Sequence, residues 1–249
     1  MMIDLFELEQ HCNELLGAAG FDDYCPNGVQ VDGGGAGVGR IVSAVTASQA
    51  VIDTAIGQQA DLLLVHHGYF WRGEAAPLTG IKGRRIRSLI SGGISLLAYH
   101  LPLDAHPTLG NNFLLGQRLG FARGRPLSQG LVWQGELPGE TPEALADRLA
   151  SQLGQRPLWI SGHSRSIRRI GWCTGAAQSA ITEAAAAGLD AFVSGEISES
   201  TTHLARELGI HYFAAGHHAT ERYGVQALGQ YLAEKFGIYH QFIDENNPV

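Results

Sequence analysis

The chain has 249 residues, of which 45% are apolar and 16% are charged, a composition typical of a folded domain and not of a disordered chain. Its net charge of −7 argues against a general nucleic-acid binder, although a local basic patch could still contact a phosphate. The three cysteines include no C-x-x-C pair, so neither a disulfide framework nor a zinc knuckle is indicated. The acidic N-terminal segment is unlike a signal peptide, and no apolar run reaches the roughly 18–20 residues of a membrane span. We therefore expect a cytoplasmic protein that does not contact a membrane.

The first part of the chain predicts alternating helices and strands. Apolar residues at helical spacing predict a helix over residues 4–19. A short extended piece at 29–31 and a glycine-rich loop lead into a strand at 40–45 and a helix at 48–59. This order is typical of an α/β protein.

The next predicted strand carries the first candidate functional residues. The continuous apolar run 61–65 is typical of a strand covered on both faces, and it ends at His66 and His67. A basic helix around 82–89 and a strand at 94–99 follow, and that strand ends at His100.

The second half of the sequence repeats the first. Residues 40–61 align without a gap on 169–190, and residues 93–98 align on 209–214. The two stretches are collinear and predict the same strand–helix–strand order, which favours an internal duplication. We predict two related α/β lobes, each with a mixed or mostly parallel sheet and covering helices.

The predicted lobes meet where glycine, arginine, proline and serine cluster, near residues 123–131. The first lobe would comprise residues 1–126 and the second residues 127–249. Parallel sheets present ligands at the carboxyl ends of their strands. Two lobes packed face to face would therefore bring these strand ends together, with a metal site between them.

Three short segments carry residue types that bind metals, and each also has an ordinary structural interpretation. His66 and His67 could be one core histidine with an exposed neighbour. Asp104 could be a helix N-cap or a turn residue. His217 and Glu221 share a helical face at i and i+4, and they could be an exposed pair within a helix.

Taken together, the three segments favour a metal site over these alternatives, because they follow matching strands of the repeat. Imidazole and carboxylate groups are usual ligands of zinc, manganese or iron. Five ligands exceed the need of one tetrahedral zinc, so we predict two divalent ions about 3.5–4 Å apart. The predicted ligands are His66, His67, Asp104, His217 and Glu221.

Two further residues are candidates for catalysis. Glu196 occupies the place in the repeat where His67 stands, so it could transfer protons, orient a ligand or simply end a strand. His100 could hydrogen-bond a ligand or a substrate. The basic run around Lys82 is typical of a solvated helix face, although it could attract a phosphate near the metals.

The chain resembles a known family of dinuclear-metal, ring-forming proteins, the GTP cyclohydrolase I type 2 homologues, which are NGG-interacting-factor-like. The resemblance runs from about residue 20 to 247. It rests on the segments PNGVQV (26–31), VTASQAV (45–51), LLVHHGYFW (63–71), YHLPLDAHPTLGNN (99–112), SGEISE (194–199) and AAGHHATERYG (214–224).

The resemblance implies a homohexameric ring of two-lobed subunits with two metal ions in each. Its ligand pattern falls on the five residues already named, with none missing. It also implies opening of the purine imidazole ring of GTP, so the first hypothesis is a metal-dependent hydrolase acting on a nucleotide. A metal-dependent phosphoesterase is one alternative. Another is a non-enzymatic ring that handles metal or acts as a scaffold for nucleic acid or a protein partner.

Overall fold

A computed structural model gives the fold and describes residues 2–127, 130–163 and 165–249. The chain divides into two compact units. The first unit contains Met1–Leu103 and Gly224–Glu245, and the second contains Asp104–Tyr223 and Asn246–Val249. Each unit is therefore built from two separate stretches of the chain.

The described residues form eleven strands and nine α-helices. The strands are β1 (Gly28–Val31), β2 (Arg40–Thr46), β3 (Leu62–His67), β4 (Ser95–Ala98), β5 (Ala122–Pro126), β6 (Trp133–Glu140), β7 (Leu158–Ile160), β8 (Ile167–Trp172), β9 (Ala191–Ser194), β10 (His211–Ala214) and β11 (Tyr239–Phe242). The helices are α1 (Leu5–Leu16), α2 (Gln49–Gly57), α3 (Gly80–Ser91), α4 (Leu101–Ala105), α5 (Asn111–Arg118), α6 (Pro142–Leu153), α7 (Ile181–Ala186), α8 (Glu199–Leu208) and α9 (His217–Phe236). Within the part of the chain that the structure describes, no helix is long and apolar enough to span a bilayer.

The sheet of the first unit has the strand order β1-β4-β3-β2-β11. All neighbours are parallel except β1 and β4. Side chains of β3 alternate between two apolar clusters: Leu62 and Leu64 belong to one, and Leu63 and Val65 to the other. The apolar run thus forms a strand covered on both faces, as the sequence predicts.

The sheet of the second unit has the order β5-β6-β8-β9-β10-β7. Strands β8, β9 and β10 are parallel, whereas β5, β6 and β7 join antiparallel. Neighbouring residues of β9 again belong to different apolar clusters, Val193 to one and Phe192 to the other, so this strand is also covered on both faces. The mixed sheet with helices confirms the predicted fold class.

The duplication is visible in the strand register of the two sheets. In the first unit, Leu62 pairs with Ile41 on one side and with Ser95 on the other. In the second unit, Ala191 pairs with Ile170 and with His211 in the same way. These partners are the positions that the two sequence alignments equate.

The units are not separated by a single cut after residue 126. Strand β5 ends at Pro126 and pairs with β6, so the segment predicted as a seam lies in the second unit. Residues 128 and 129 of that seam lie outside the described residues. Strand β11, close to the C-terminal end, pairs with β2 in the first unit.

Candidate metal-binding site

Two adjacent histidines end the buried strand β3 in the first unit. His66 is fully buried and His67 is half-buried. Gly68 follows them, and a methyl group there would collide with the Gln30 amide and with Ala98. Glycine is therefore required for the chain to leave the sheet directly after the two imidazoles.

Each of these imidazoles is held through its Nδ1 atom. His66 Nδ1 lies 2.9 Å from the carbonyl oxygen of Tyr99, to which it can only donate. His67 Nδ1 lies 3.1 Å from the hydroxyl of Thr46. Hydrogen bonds of this kind set the ring orientation of metal-binding histidines. Because His66 Nδ1 carries the donated proton, the lone pair of the neutral ring lies on Nε2.

A third imidazole, that of His100, lies beside the first two. Its ring centroid is 5.0 Å from that of His66 and 5.8 Å from that of His67. One ring nitrogen from each of the three lies within 4.8 Å of the others, so the group could hold a metal ion. The carboxyl ends of β3 and β4 thus bring together the histidines that the sequence singles out.

A carboxylate that sequence reasoning missed orients His100. Asp23 Oδ1 lies 2.7 Å from His100 Nδ1, and Asp23 Oδ2 accepts from Leu101 N and from Asn27 Nδ2, each at 2.9 Å. Burial alone would raise the pKa of Asp23, but the bonds from His100, Asn27 and Leu101 outweigh it and lower that pKa to about 2. Asp23 is therefore ionised at neutral pH and accepts a hydrogen bond from His100 Nδ1–H.

The second unit places His217 between two carboxylates. His217 opens α9, and its Nδ1 lies 2.7 Å from Glu196 Oε1, while its Nε2 lies 3.0 Å from Glu221 Oε2. The contact with Glu221 is the i,i+4 pair that the sequence predicts. Glu196 follows β9 and contacts the opposite side of the same ring.

The two carboxylates change the proton affinity of His217. Burial lowers its pKa, but the hydrogen bonds and charges of Glu221 and Glu196 raise it more, to about 9. Without a metal, the ring is therefore protonated at neutral pH. A cation that binds Nε2 would take the place of that proton.

Asp104 is the third predicted ligand in the second unit. Its side chain is almost completely buried, and Oδ1 accepts from the amide of Asn111 at 2.9 Å and from the hydroxyl of Thr174 at 3.1 Å. Asp104 lies inside the short helix α4, so it is neither an N-cap nor a turn residue. A buried carboxylate is costly unless it is well paired, and a metal ion is one way to pair it.

The space around His217 and Glu221 depends on one glycine. Gly175 has a φ of +65°, and a methyl group there would collide with the Glu221 carboxylate and lie 3.1 Å from His217 Nε2. This glycine leaves an opening beside the Glu221 carboxylate and His217 Nε2. The donor types and this opening fit a divalent cation.

His218, which follows His217, and the basic run of α3 also have structural contacts. The backbone amide of His218 donates to the carbonyl oxygen of Val249. In the basic run of α3, Lys82 lies 3.6 Å from Glu74, so its charge is partly compensated. Neither observation places these residues among the candidate ligands.

A model of the Duf34/NIF3 (NGG1p interacting factor 3) family matches residues 3–248. The chain belongs to this family. Two NIF3-family relatives named GTP cyclohydrolase 1 type 2 homolog match the whole chain. The relative from Allochromatium vinosum is 53% identical and covered over 99% of its length. The relative from Pseudomonas aeruginosa is 52% identical and covered completely.

Solved structures of the NIF3 fold match over nearly the whole chain as well. The protein ybgI, described as of unknown function, is 46% identical with a TM-score of 0.96, and 99% of this chain and 100% of that chain are covered. A protein from Thermus thermophilus is 34% identical with a TM-score of 0.91, with the same coverage of both chains. HcgD from Methanocaldococcus jannaschii, at 22% identity and a TM-score of 0.85 over 98% of this chain and 99% of that one, shares the fold.

Proposed function

We propose that five residues bind two divalent metal ions and that the protein is a metal-dependent hydrolase acting on a nucleotide. The ligands are His66, His67, Asp104, His217 and Glu221. The observation that carries the proposal is shared by the three histidines: each has a hydrogen-bond partner at Nδ1, namely Tyr99 O, Thr46 Oγ1 and Glu196 Oε1. Metal-binding histidines have such a partner almost always, and it presents Nε2 to the ion.

The donor set supports two ions better than one. Three imidazoles and two carboxylates exceed the four ligands of a closed structural zinc site. Divided between two ions, they leave coordination positions for water and substrate. Mixed nitrogen and oxygen donors suit zinc, iron or manganese.

A bound pair of such ions would supply the Lewis acidity that makes water nucleophilic near neutral pH. His100 is suited to take a proton from that water. Because ionised Asp23 accepts from Nδ1, the lone pair of a neutral His100 ring lies on Nε2. Asp23 thus orients His100 as the third member of a catalytic triad orients its histidine. Glu196, which contacts His217 Nδ1, is assigned to orienting that ligand.

GTP is the first substrate to test, because the relatives share the name GTP cyclohydrolase 1 type 2 homolog. The expected reaction is opening of the purine imidazole ring by one water, followed by hydrolysis of the resulting formamide by a second water, which releases formate. Cleavage of a phosphoester is the second reaction to test, because two-metal sites also catalyse it.

The test is a turnover assay on protein stripped with a chelator and reloaded with zinc, manganese or iron. Formate release from GTP and cleavage of phosphodiesters would be measured for the wild type, Asp104→Ala and His100→Gln. We expect activity only in metal-loaded protein, none in Asp104→Ala, and a loss of about 10²–10⁴-fold in His100→Gln with the five-ligand set still occupied. No turnover above the Asp104→Ala background with any metal would contradict a hydrolase.

A further inference from the structure

We propose that Asp23, Cys25 and His100 form a further metal site in the first unit, one that takes a zinc-like divalent cation through a thiolate. One carboxylate oxygen, the thiol sulfur and one imidazole nitrogen of these residues lie within 4.8 Å of one another. Carboxylate, thiolate and imidazole are each zinc ligands, and three protein ligands with one open position is a common zinc arrangement. The site shares no residue with the five-ligand set of the proposed function, although the His100 ring lies beside those of His66 and His67.

The surroundings of Cys25 differ from those of the other cysteines. Cys12 belongs to an apolar cluster of the core, and Cys173 belongs to another apolar cluster, near Asp104 and Glu221 of the five-ligand set. Cys25 is buried beside an ionised carboxylate and an imidazole. Burial and the charge of Asp23 raise the pKa of its thiol to about 12, so a cation must displace a proton to bind the sulfur.

The charges of the group balance a divalent cation. Binding forms a metal–sulfur bond, and the thiol proton passes to water. The aspartate and the thiolate then carry two negative charges, and a neutral His100 carries none. The side chains of His100 and Asp23 are only 13% and 3% exposed. A net charge on the metal–ligand group would be costly in such poorly solvated surroundings, so its zero net charge favours binding. Asp23 Oδ2 accepts from Asn27 and Leu101 N, and Oδ1 faces His100 Nδ1 and the backbone amide of Tyr24.

A groove gives the site a route to solvent. It has a volume of about 850 Å³ and runs along α1 to the loop that carries Asp23 and Cys25. Glu9 and Glu14 line it, so its walls attract cations. An entry path is one of the requirements for a metal site, and Asp23 and Cys25 are among the residues that line this groove.

Occupancy of this site has a consequence for His100. A cation bound to Asp23 and His100 would break the hydrogen bond that directs the His100 lone pair. This consequence rests on the proposed function, in which His100 takes a proton from water. Excess zinc would then inhibit turnover, whereas metal binding by Cys25 does not depend on the protein being an enzyme.

Cobalt titration tests the site directly. Metal-free protein would be titrated with Co²⁺ beyond the amount that the five-ligand set binds. The near-ultraviolet charge-transfer band from thiolate to Co²⁺ would be recorded at each addition. We expect the band in the wild type, Cys12→Ala, Cys173→Ala and Glu221→Ala, and its loss in Cys25→Ser. Absence of the band, or its loss only in Cys173→Ala, would overturn the proposal. Persistence of the band in Glu221→Ala separates this result from a failure of the two-ion site.

A second measurement avoids substitution and therefore any folding defect. Zinc in excess should slow alkylation of Cys25 in the wild-type protein at least tenfold, as followed by mass spectrometry of the peptide that contains it. Cys12, in the apolar core of the same unit, is the internal control, and its alkylation rate should not change. Equal rates for Cys25 with and without zinc would overturn the proposal.

Discussion

Glu196 Oε1 lies 2.7 Å from His217 Nδ1, on the side of the ring opposite Glu221. In the proposed metal site this contact fixes the ring and increases the basicity of Nε2. Replacing Glu196 by glutamine should therefore weaken metal binding about 10–100-fold without removing a ligand. Competition with a fluorescent chelator would measure the change. Glu199→Gln is the matched control, because the Glu199 side chain is exposed and pairs with His203 at 3.0 Å. Equal affinities for both variants would contradict the role of Glu196.

The stability of the metal-free protein should depend on the protonation of His217. Its pKa in the folded protein is about 9, above the ordinary value of 6.5. The stabilisation by Glu221 and Glu196 is therefore fully present below pH 6.5 and is lost as the pH rises through 9. Urea unfolding in the presence of a chelator, repeated across this range, should show a falling free energy of unfolding. In His217→Gln this decline should be absent, and an equally steep decline there would show that another group causes it.

Gly175 should be required for metal binding as well as for stability. Alanine there strains a backbone with a φ of +65° and collides with Glu221. Gly154→Ala is a matched control, because its φ is +84° and no atom lies within 4 Å of the added methyl group. Both variants should lose about 1–3 kcal/mol of unfolding free energy. Only Gly175→Ala should lose bound metal, as measured by elemental analysis, and full metal content in that variant would be the contrary result.

Asp61 and Asp190 make the same contacts in the two repeats. Asp61 Oδ2 accepts from the amides of Gly39 and Arg40, both at 2.8 Å. Asp190 Oδ2 accepts from the amides of Arg168 and Arg169, at 3.0 and 2.9 Å. Each carboxylate therefore fixes the start of one central strand, β2 or β8.

Alanine at either aspartate should lower the free energy of unfolding by about 1–3 kcal/mol, because two backbone donors lose their acceptor. Guanidinium titration would measure the loss. The control is Asp53→Ala, which should be nearly neutral because its exposed carboxylate accepts from the side-chain amide of Gln49 and not from a backbone amide at the start of a strand. A loss as large in the control would mean that the paired backbone bonds are not the cause.

The sequence predicts much of this fold because its repeat is collinear and its central strands are continuous apolar runs. It also predicts the contact of His217 with Glu221, since both lie in the first turns of one helix. Strand β11 could not be placed, because its partner β2 lies about 200 positions earlier and only tertiary structure decides that pairing.

The missed residues share one property: their partners are remote in sequence. Asp23 stands in an irregular segment 77 positions before His100, and Thr174 lies 70 positions after Asp104. No periodicity marks such pairs. Only the segments that resemble the family point to this part of the chain. PNGVQV begins three residues after Asp23, and the Asn-Asn pair at 111–112 ends the segment that contains Asp104.

Metal stoichiometry tests the central claim most directly. Protein purified without added metal would be passed through gel filtration and its tightly bound zinc, iron and manganese counted by elemental analysis, beside His66→Ala and Glu221→Ala. The account predicts two ions per chain in the wild type and a clear loss in both variants, with each variant still folded by circular dichroism. Metal-free wild type that also fails to take up ions on reloading, or variants that keep the full complement, would contradict it.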